Sequence, residues 1–305
     1  MATPSVLPKV ESSTGSAVGH PHAPVHTSVA DGSLPVHVIA PESGWVPVRL
    51  GEIWEYRELL YFFVWRELKI RYKQTALGVT WAVIQPFFTM VVFSVIFGSL
   101  AKVPSDGLPY PVFAFCALLP WQLFSFALTE ASNSVVAQQR LLTKVYFPRL
   151  LMPIASVCVG LADFLIAFVM LLGMMAYYRI TPGLAALTIP LWTILAMATA
   201  LGIGLWLAAL NVRYRDIRYT VPFLTQVWMY VTPVAYASSL VPAAWRPLYA
   251  LNPMVGVIEG FRWALLGQAN ASAAVLPVSL VTVALLLISG LFYFRRTERT
   301  FADIV

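Results

Sequence analysis

The chain has 305 residues, of which 59% are hydrophobic and only 11% charged, and its mean hydropathy is +0.75. Soluble domains carry about 45–50% apolar and about 25% charged residues, so a single-core cytosolic enzyme is excluded and a polytopic membrane protein is indicated. The net charge of +6 does not argue for nucleic acid, because the basic residues stand in clusters that punctuate apolar runs, as the positive-inside rule expects.

Residues 1–44 hold all four histidines, His20, His22, His26 and His37, in a stretch rich in Pro, Ser, Thr and Val. Such a composition has little to bury. A disordered cytosolic extension is expected there, in preference to a metal site, and the segment lacks the pattern of a secretory signal.

Order is expected from Trp45 onward. Between Glu52 and Lys73, the residues Ile53, Tyr56, Leu60, Val64 and Leu68 recur at spacings of three and four, which marks one face of a helix. Glu52, Glu55, Arg66, Lys69 and Lys73 fall largely on the other side. The apolar run Leu59 to Trp65 is too short to cross a bilayer core of about 30 Å. An amphipathic helix lying in the interface, basic residues toward lipid headgroups, is predicted.

Six spans follow. Span one is the uncharged run Gln74 to Ala101, with Pro86 as a candidate bend. After a turn-rich loop at Val103 to Pro111, span two covers about Val112 to Val136 and span three about Leu151 to Tyr178. Span four takes about Leu184 to Leu210, span five about Tyr219 to Ala237, and span six about Ala274 to Phe294. With a cytosolic N-terminus, the inner loops collect Arg66, Lys69, Arg71, Lys73, Arg140, Lys144, Arg149, Arg213, Arg215, Arg218, Arg295, Arg296 and Arg299. The outer side keeps only Lys102, Arg179, Arg246 and Arg262. That asymmetry places both termini inside. Between Ser238 and Asn270 the chain is apolar yet interrupted by Pro242, Pro247 and Pro253. Two short helices re-entering the membrane from outside are expected, since irregular backbone survives there only under a cover of protein or along a water-filled path.

Catalytic signatures are missing. No Gly-x-x-x-x-Gly-Lys-Ser/Thr loop, His-Glu-x-x-His or Gly-x-Ser-x-Gly occurs, so neither a phosphate loop nor a zinc or serine hydrolase centre is expected. Cys116 and Cys158 lie inside apolar runs and read as packing residues. No catalytic residue, metal site or cofactor is assigned to the chain.

Ala137 to Arg149 falls on the cytosolic side, yet it carries Leu141, Leu142, Val145, Tyr146 and Phe147 beside Lys144. An apolar patch facing water marks a partner site, of the kind a short helix makes in a groove on a soluble subunit. Burial against the chain's own interfacial helix is the alternative. Two ionisable residues, Glu130 and Asp163, lie within spans, where a charge is costly; each either faces a channel or bonds across helices. Glu259 and Arg262 stand three apart and can pair on the surface of a helix.

Four stretches carry a resemblance: Arg66-Glu-Leu-Lys-Ile-Arg-Tyr-Lys73, Leu142-Thr-Lys-Val-Tyr-Phe-Pro-Arg149, Ala209-Leu-Asn-Val-Arg-Tyr-Arg-Asp216 and Leu251-Asn-Pro-Met-Val-Gly-Val-Ile-Glu-Gly-Phe-Arg262. Together they resemble the permease subunit of bacterial polysaccharide and O-antigen ABC exporters, over about Trp45 to Val305. The resemblance implies a homodimer of six-span subunits in the inner membrane, working with two copies of a separate ATPase subunit that holds the ATP and magnesium. It also implies that Leu141 to Phe147 form the helix that meets the ATPase and that the segment with Glu52, Arg66, Lys69 and Arg71 is the interfacial helix. The short helices bearing Glu259 and Arg262 then gate the outer end, and the cargo is a lipid-linked glycan. Aromatic residues make up 13% of the chain, and their faces suit weak contact with sugars. Phe87, Phe88, Tyr230 and Tyr236 are the channel-lining candidates, although interface belts also collect aromatics. The rivals are a membrane glycosyl- or acyltransferase, for which no catalytic constellation is present, and an exporter of drugs or lipids with the same architecture.

Overall fold

The computed structural model describes residues 50–73, 80–142, 147–267 and 275–301. The expected N-terminal extension lies outside them, as do Lys144, Val145 and Tyr146. Every regular element among the described residues is helical.

Two helices open the described chain, α1 (Leu50–Glu55) and α2 (Arg57–Lys73), separated by a turn at Tyr56. The expected apolar face is present: Ile53, Tyr56, Leu60 and Val64 pack around Phe63. It rests on Phe147, Leu151, Met152 and Ala155, where the third span begins. The opposite face is not simply basic, because Trp54, Tyr61, Phe62 and Trp65 are exposed there. Aromatic side chains suit the headgroup layer, where an apolar ring and a polar edge are both accommodated.

Among the described residues, five helical segments are long and apolar enough to cross a membrane. The first joins α3 (Thr80–Phe93) to a wider π-helical stretch, Ser94–Leu100. Pro86 lies inside α3. The others are α4 (Tyr110–Ala137), followed by the single turn α5 (Gln139–Leu142), then α6 (Leu151–Tyr177) and α7 (Ile189–Arg213), which a 3-10 turn at Leu184–Thr188 precedes. The expected fifth span differs. In its place α8 runs only Ile217–Val231, 15 residues, or about 22 Å at 1.5 Å per residue. Thr232 is extended, at φ −96° and ψ 145°, because the ring of Pro233 disfavours a helical conformation in the residue before it. Two 3-10 turns, Ser238–Leu240 and Ala243–Trp245, lead to α9 (Arg246–Ala250) and α10 (Pro253–Leu266). The Asn252 side chain accepts from the Met254 amide at 3.1 Å to start α10. Gly267, at φ 71°, ends it in the left-handed conformation that glycine adopts without strain. The last span is α11 (Val275–Thr297).

Helix α4 forms the centre. It packs on α3, α6, α7, α8 and α10 and is buried along most of its length, including Phe113, Phe115, Trp121 and Phe124. Helices α7 and α11 meet backbone to backbone: a Cβ added at Gly290 would lie 2.2 Å from the Gly202 carbonyl oxygen. Small residues permit that approach, which lets dispersion and weak polar contacts replace the hydrophobic effect that lipid does not supply. Ile53, Val135, Leu150, Val212, Phe294 and Phe301 share one cluster. This gathers the helix ends nearest most of the basic residues at one end of the bundle, here termed the basic end.

Candidate functional site

A cleft of about 820 Å³ opens beside α4, between α2, α3 and α6. Each of the three long helices contributes one stripe at helical spacing: Trp81, Gln85 and Thr89 from α3; Gln122, Phe126, Thr129 and Glu130 from α4; Gly160, Asp163, Phe164 and Ala167 from α6. Helix α2 closes the basic end with Arg71 and Tyr72. The volume falls within the roughly 300–1,000 Å³ of small-molecule sites.

Asp163 joins α6 to α2. Arg71 Nη2 donates to Asp163 Oδ2 at 2.5 Å, and the Tyr72 hydroxyl donates to Oδ1. Burial, reinforced by the Asp163 carboxylate, pushes the Tyr72 phenol above its ordinary range, so it remains a donor. The Arg71 guanidinium also lies 4.3 Å from the centre of the Phe126 ring. Asp163 therefore bonds across helices. The Glu130 carboxylate and the Gln85 and Gln122 amides line the same cleft without a hydrogen bond to another described residue.

At the far end from the basic cluster, Arg262 is 2% exposed and pairs with Glu259, also 2% exposed, at 3.5 Å. The expected i,i+3 pair exists, but inside the protein and not on a helix surface. Arg262 also donates to the Val234 and Tyr236 carbonyls at 3.2 and 3.3 Å and stacks 3.8 Å from the Phe113 ring centre. The Tyr110 hydroxyl donates to the Ala235 carbonyl at 2.6 Å. Three successive carbonyls of the non-helical segment after α8 are thus satisfied by side chains from α4 and α10.

The remaining predicted residues are scattered. Phe147, expected on a water-facing patch, is 6% exposed and meets Phe63 edge to face at 5.5 Å; Leu141 packs against the same cluster. The backbone of Leu142 is described, whereas Lys144, Val145 and Tyr146 lie outside the described residues. Glu52 lies on α1, and its side chain is not described. Arg66 pairs with its neighbour Glu67 at 2.9 Å, and Lys69 is exposed. Arg71, expected to face headgroups, turns into the cleft instead, because Asp163 offers a carboxylate there. Phe87 and Phe88 form an exposed edge-to-face pair on α3, and Tyr230 is exposed on α8. The Tyr236 hydroxyl donates to the Val231 carbonyl at 3.1 Å. None of these four lines the cleft, whereas Trp121, 3% exposed, does. Trp81, Gln85 and Gln122 went unmarked in the sequence, although polar residues four apart on an uncharged span were a legible sign.

Residues 58–266 match the ABC-2 type transporter family. Over 253 residues the chain is 31% identical to the O-antigen export system permease protein RfbA of Myxococcus xanthus, covering 81% of this chain and 96% of that protein. It is 27% identical over 249 residues to a Klebsiella pneumoniae protein of the same name, with 81% and 95% covered. To the polysialic acid transport protein KpsM of Escherichia coli it is 24% identical over 242 residues, with 76% and 91% covered. A match across more than half the chain, joined to a relative above 30% identity along nearly its full length, settles the matter: this chain belongs to the ABC-2 type transporter family.

Proposed function

We propose that the chain is the membrane-spanning subunit of an ATP-driven exporter that moves a lipid-linked polysaccharide, O-antigen or a related glycan, outward across the bacterial inner membrane. The observation that carries this reading is the 31% identity to an O-antigen export permease over 96% of its length. The chain is not itself the ATPase: two copies of a separate nucleotide-binding subunit supply ATP and magnesium, and residues 141–147 with α2 form the surface that receives them. The packing of Phe147 on Phe63 supports coupling between that segment and α2.

The subunit works as a homodimer. Exposed apolar faces on α3 and α8, including Phe87, Phe88, Phe223 and Tyr230, are where a second copy and a channel would lie. Both termini and the basic end face the cytosol, with residues 1–44 as an extension ahead of the transmembrane domain at 45–305. Helix α8 and the buried stretch to Ala237 together make the fifth of six crossings, and α9 and α10 re-enter from outside as the gate. Support for re-entry is the satisfied backbone at Val234, Ala235 and Tyr236, as membrane depth requires of any non-helical segment.

Deleting the gene in its native host tests the reading. Surface polysaccharide is expected to disappear while lipid-linked glycan accumulates inside, and mild detergent extraction of the tagged chain is expected to recover a stoichiometric ATPase. A deletion strain with normal surface glycan would sink the proposal.

A further inference from the structure

We propose that Asp163 is a positioning residue for energy coupling: by holding Arg71 and Tyr72 it makes α2 and α6 move as one body when the ATPase partner displaces the segment before α6. The inference rests on the export reading above and goes beyond it. Three observations carry it: the register of the two helices, the direction of the bonds between them, and the weakness of those bonds as fasteners.

Phe63 and Ala155 share one apolar cluster with Phe147. Eight residues further along each helix, Arg71 meets Asp163. Equal steps on both helices, about 12 Å at 1.5 Å per residue, mean that α2 and α6 run side by side in the same direction. Between the two ends, Glu67 accepts from the Gln138 amide at 3.2 Å, just past the end of α4. Phe63, Glu67 and Arg71 stand four apart and form one stripe of α2. That stripe touches in turn the segment before α6, the foot of α4 and the body of α6.

An apolar cluster on its own is a pivot, because its attraction is non-directional. Hydrogen bonds do have a direction. Asp163 accepts from two successive residues, Arg71 through Oδ2 at 2.5 Å and Tyr72 through Oδ1, which sets both the distance of α2 and its rotation. The Arg71 guanidinium also lies 4.3 Å from the centre of the Phe126 ring. That ring fits against α6 because Gly160 is there: a Cβ at Gly160 would lie 2.8 Å from it. Helices α2, α4 and α6 therefore meet at one junction.

Stability does not explain the junction. A charge within a span is costly, yet the Arg71 and Asp163 side chains are 40% and 24% exposed, so solvent screens the pair and it adds little to the fold. The Glu259–Arg262 pair, at 3% exposed on both sides, has no such screening. What the Asp163 contact does supply is a second fixed point on α2, and two fixed points turn a pivoting helix into a strut.

The test expresses the full chain with its ATPase partner in the deletion strain and purifies the complex into lipid nanodiscs. Surface glycan, ATP hydrolysis and the thermal midpoint are read for each variant. Asp163→Ala is expected to lower surface glycan at least about 5-fold, as coupling residues do, with ATP hydrolysis and the midpoint close to those of the unchanged complex. Adding Arg71→Ala to it is expected to lower export no further, since both changes remove one contact. Asp163→Asn keeps the shape and one acceptor, and gives the same reading with a smaller loss if Asp163→Ala is not monodisperse. Normal export by the Asp163 variants, in a strain that lacks surface glycan without the gene, would overturn the inference and leave the export reading intact. A loss of export matched by a lost ATPase subunit or a lowered midpoint would also overturn it, making Asp163 a fastener. Additive losses from Asp163→Ala and Arg71→Ala would do the same, by showing that the two act separately.

Discussion

Around Arg262 most of the buried polar groups are matched to one another, with Arg262 Nε left over, whereas along the cleft the Gln85, Gln122 and Glu130 side chains have no hydrogen-bond partner among the described residues. The first region holds an ion pair, two arginine–carbonyl bonds and a tyrosine–carbonyl bond among residues that are almost fully buried. The second holds one half-open ion pair and a wall of vacant donors and acceptors. Both lie in a protein whose surroundings punish unsatisfied polarity. The difference separates buried polar groups that fasten the fold from polar groups left open along the cleft.

That distinction can be broken by substitution. Arg262→Ala is expected to have the largest effect, about 3–5 kcal/mol, because it strands a buried carboxylate and two carbonyls together. Thermal unfolding of the purified protein in detergent would show it, and an unchanged midpoint would remove the fastening role. Tyr110→Phe strands only the Ala235 carbonyl and is expected to cost about 1 kcal/mol in the same assay. Asp163→Asn is expected to cost less than about 1 kcal/mol, since the Arg71 side chain is 40% exposed and solvent screens the pair. Gln122→Leu is expected to leave stability within about 0.5 kcal/mol in the same assay. A large loss of stability there would make Gln122 another fastener.

Much of the bundle was legible in the sequence because a bilayer sets a minimum length for an apolar run. Spans two and three were placed to within about two residues at each end. The fifth was not, since apolar composition continues past Thr232 while the helix stops. Pro233 carried that information, and hydropathy ignores it. In α10 the spacing of Glu259 and Arg262 revealed their pairing but not their burial, which depends on Phe113 and Val234 arriving from elsewhere in the chain. The cleft was legible in half. Glu130 and Asp163 stood out as charges within spans, yet Asp163 meets Arg71 and Tyr72 across about ninety residues, and no local pattern encodes that. Phe147 looked like a partner contact because it belongs to an apolar run on the cytosolic side; Phe63, which packs against it, belongs to another helix.

The contact of Gly202 with Gly290 has a mechanical consequence. Side chains at an ordinary helix interface can change rotamer and let two helices slip, but touching backbones have nothing to repack. Helices α7 and α11 are therefore expected to move as one rigid unit. A cross-link tying α7 to α11 is expected to leave transport intact, and loss of export on cross-linking would show that the two slide.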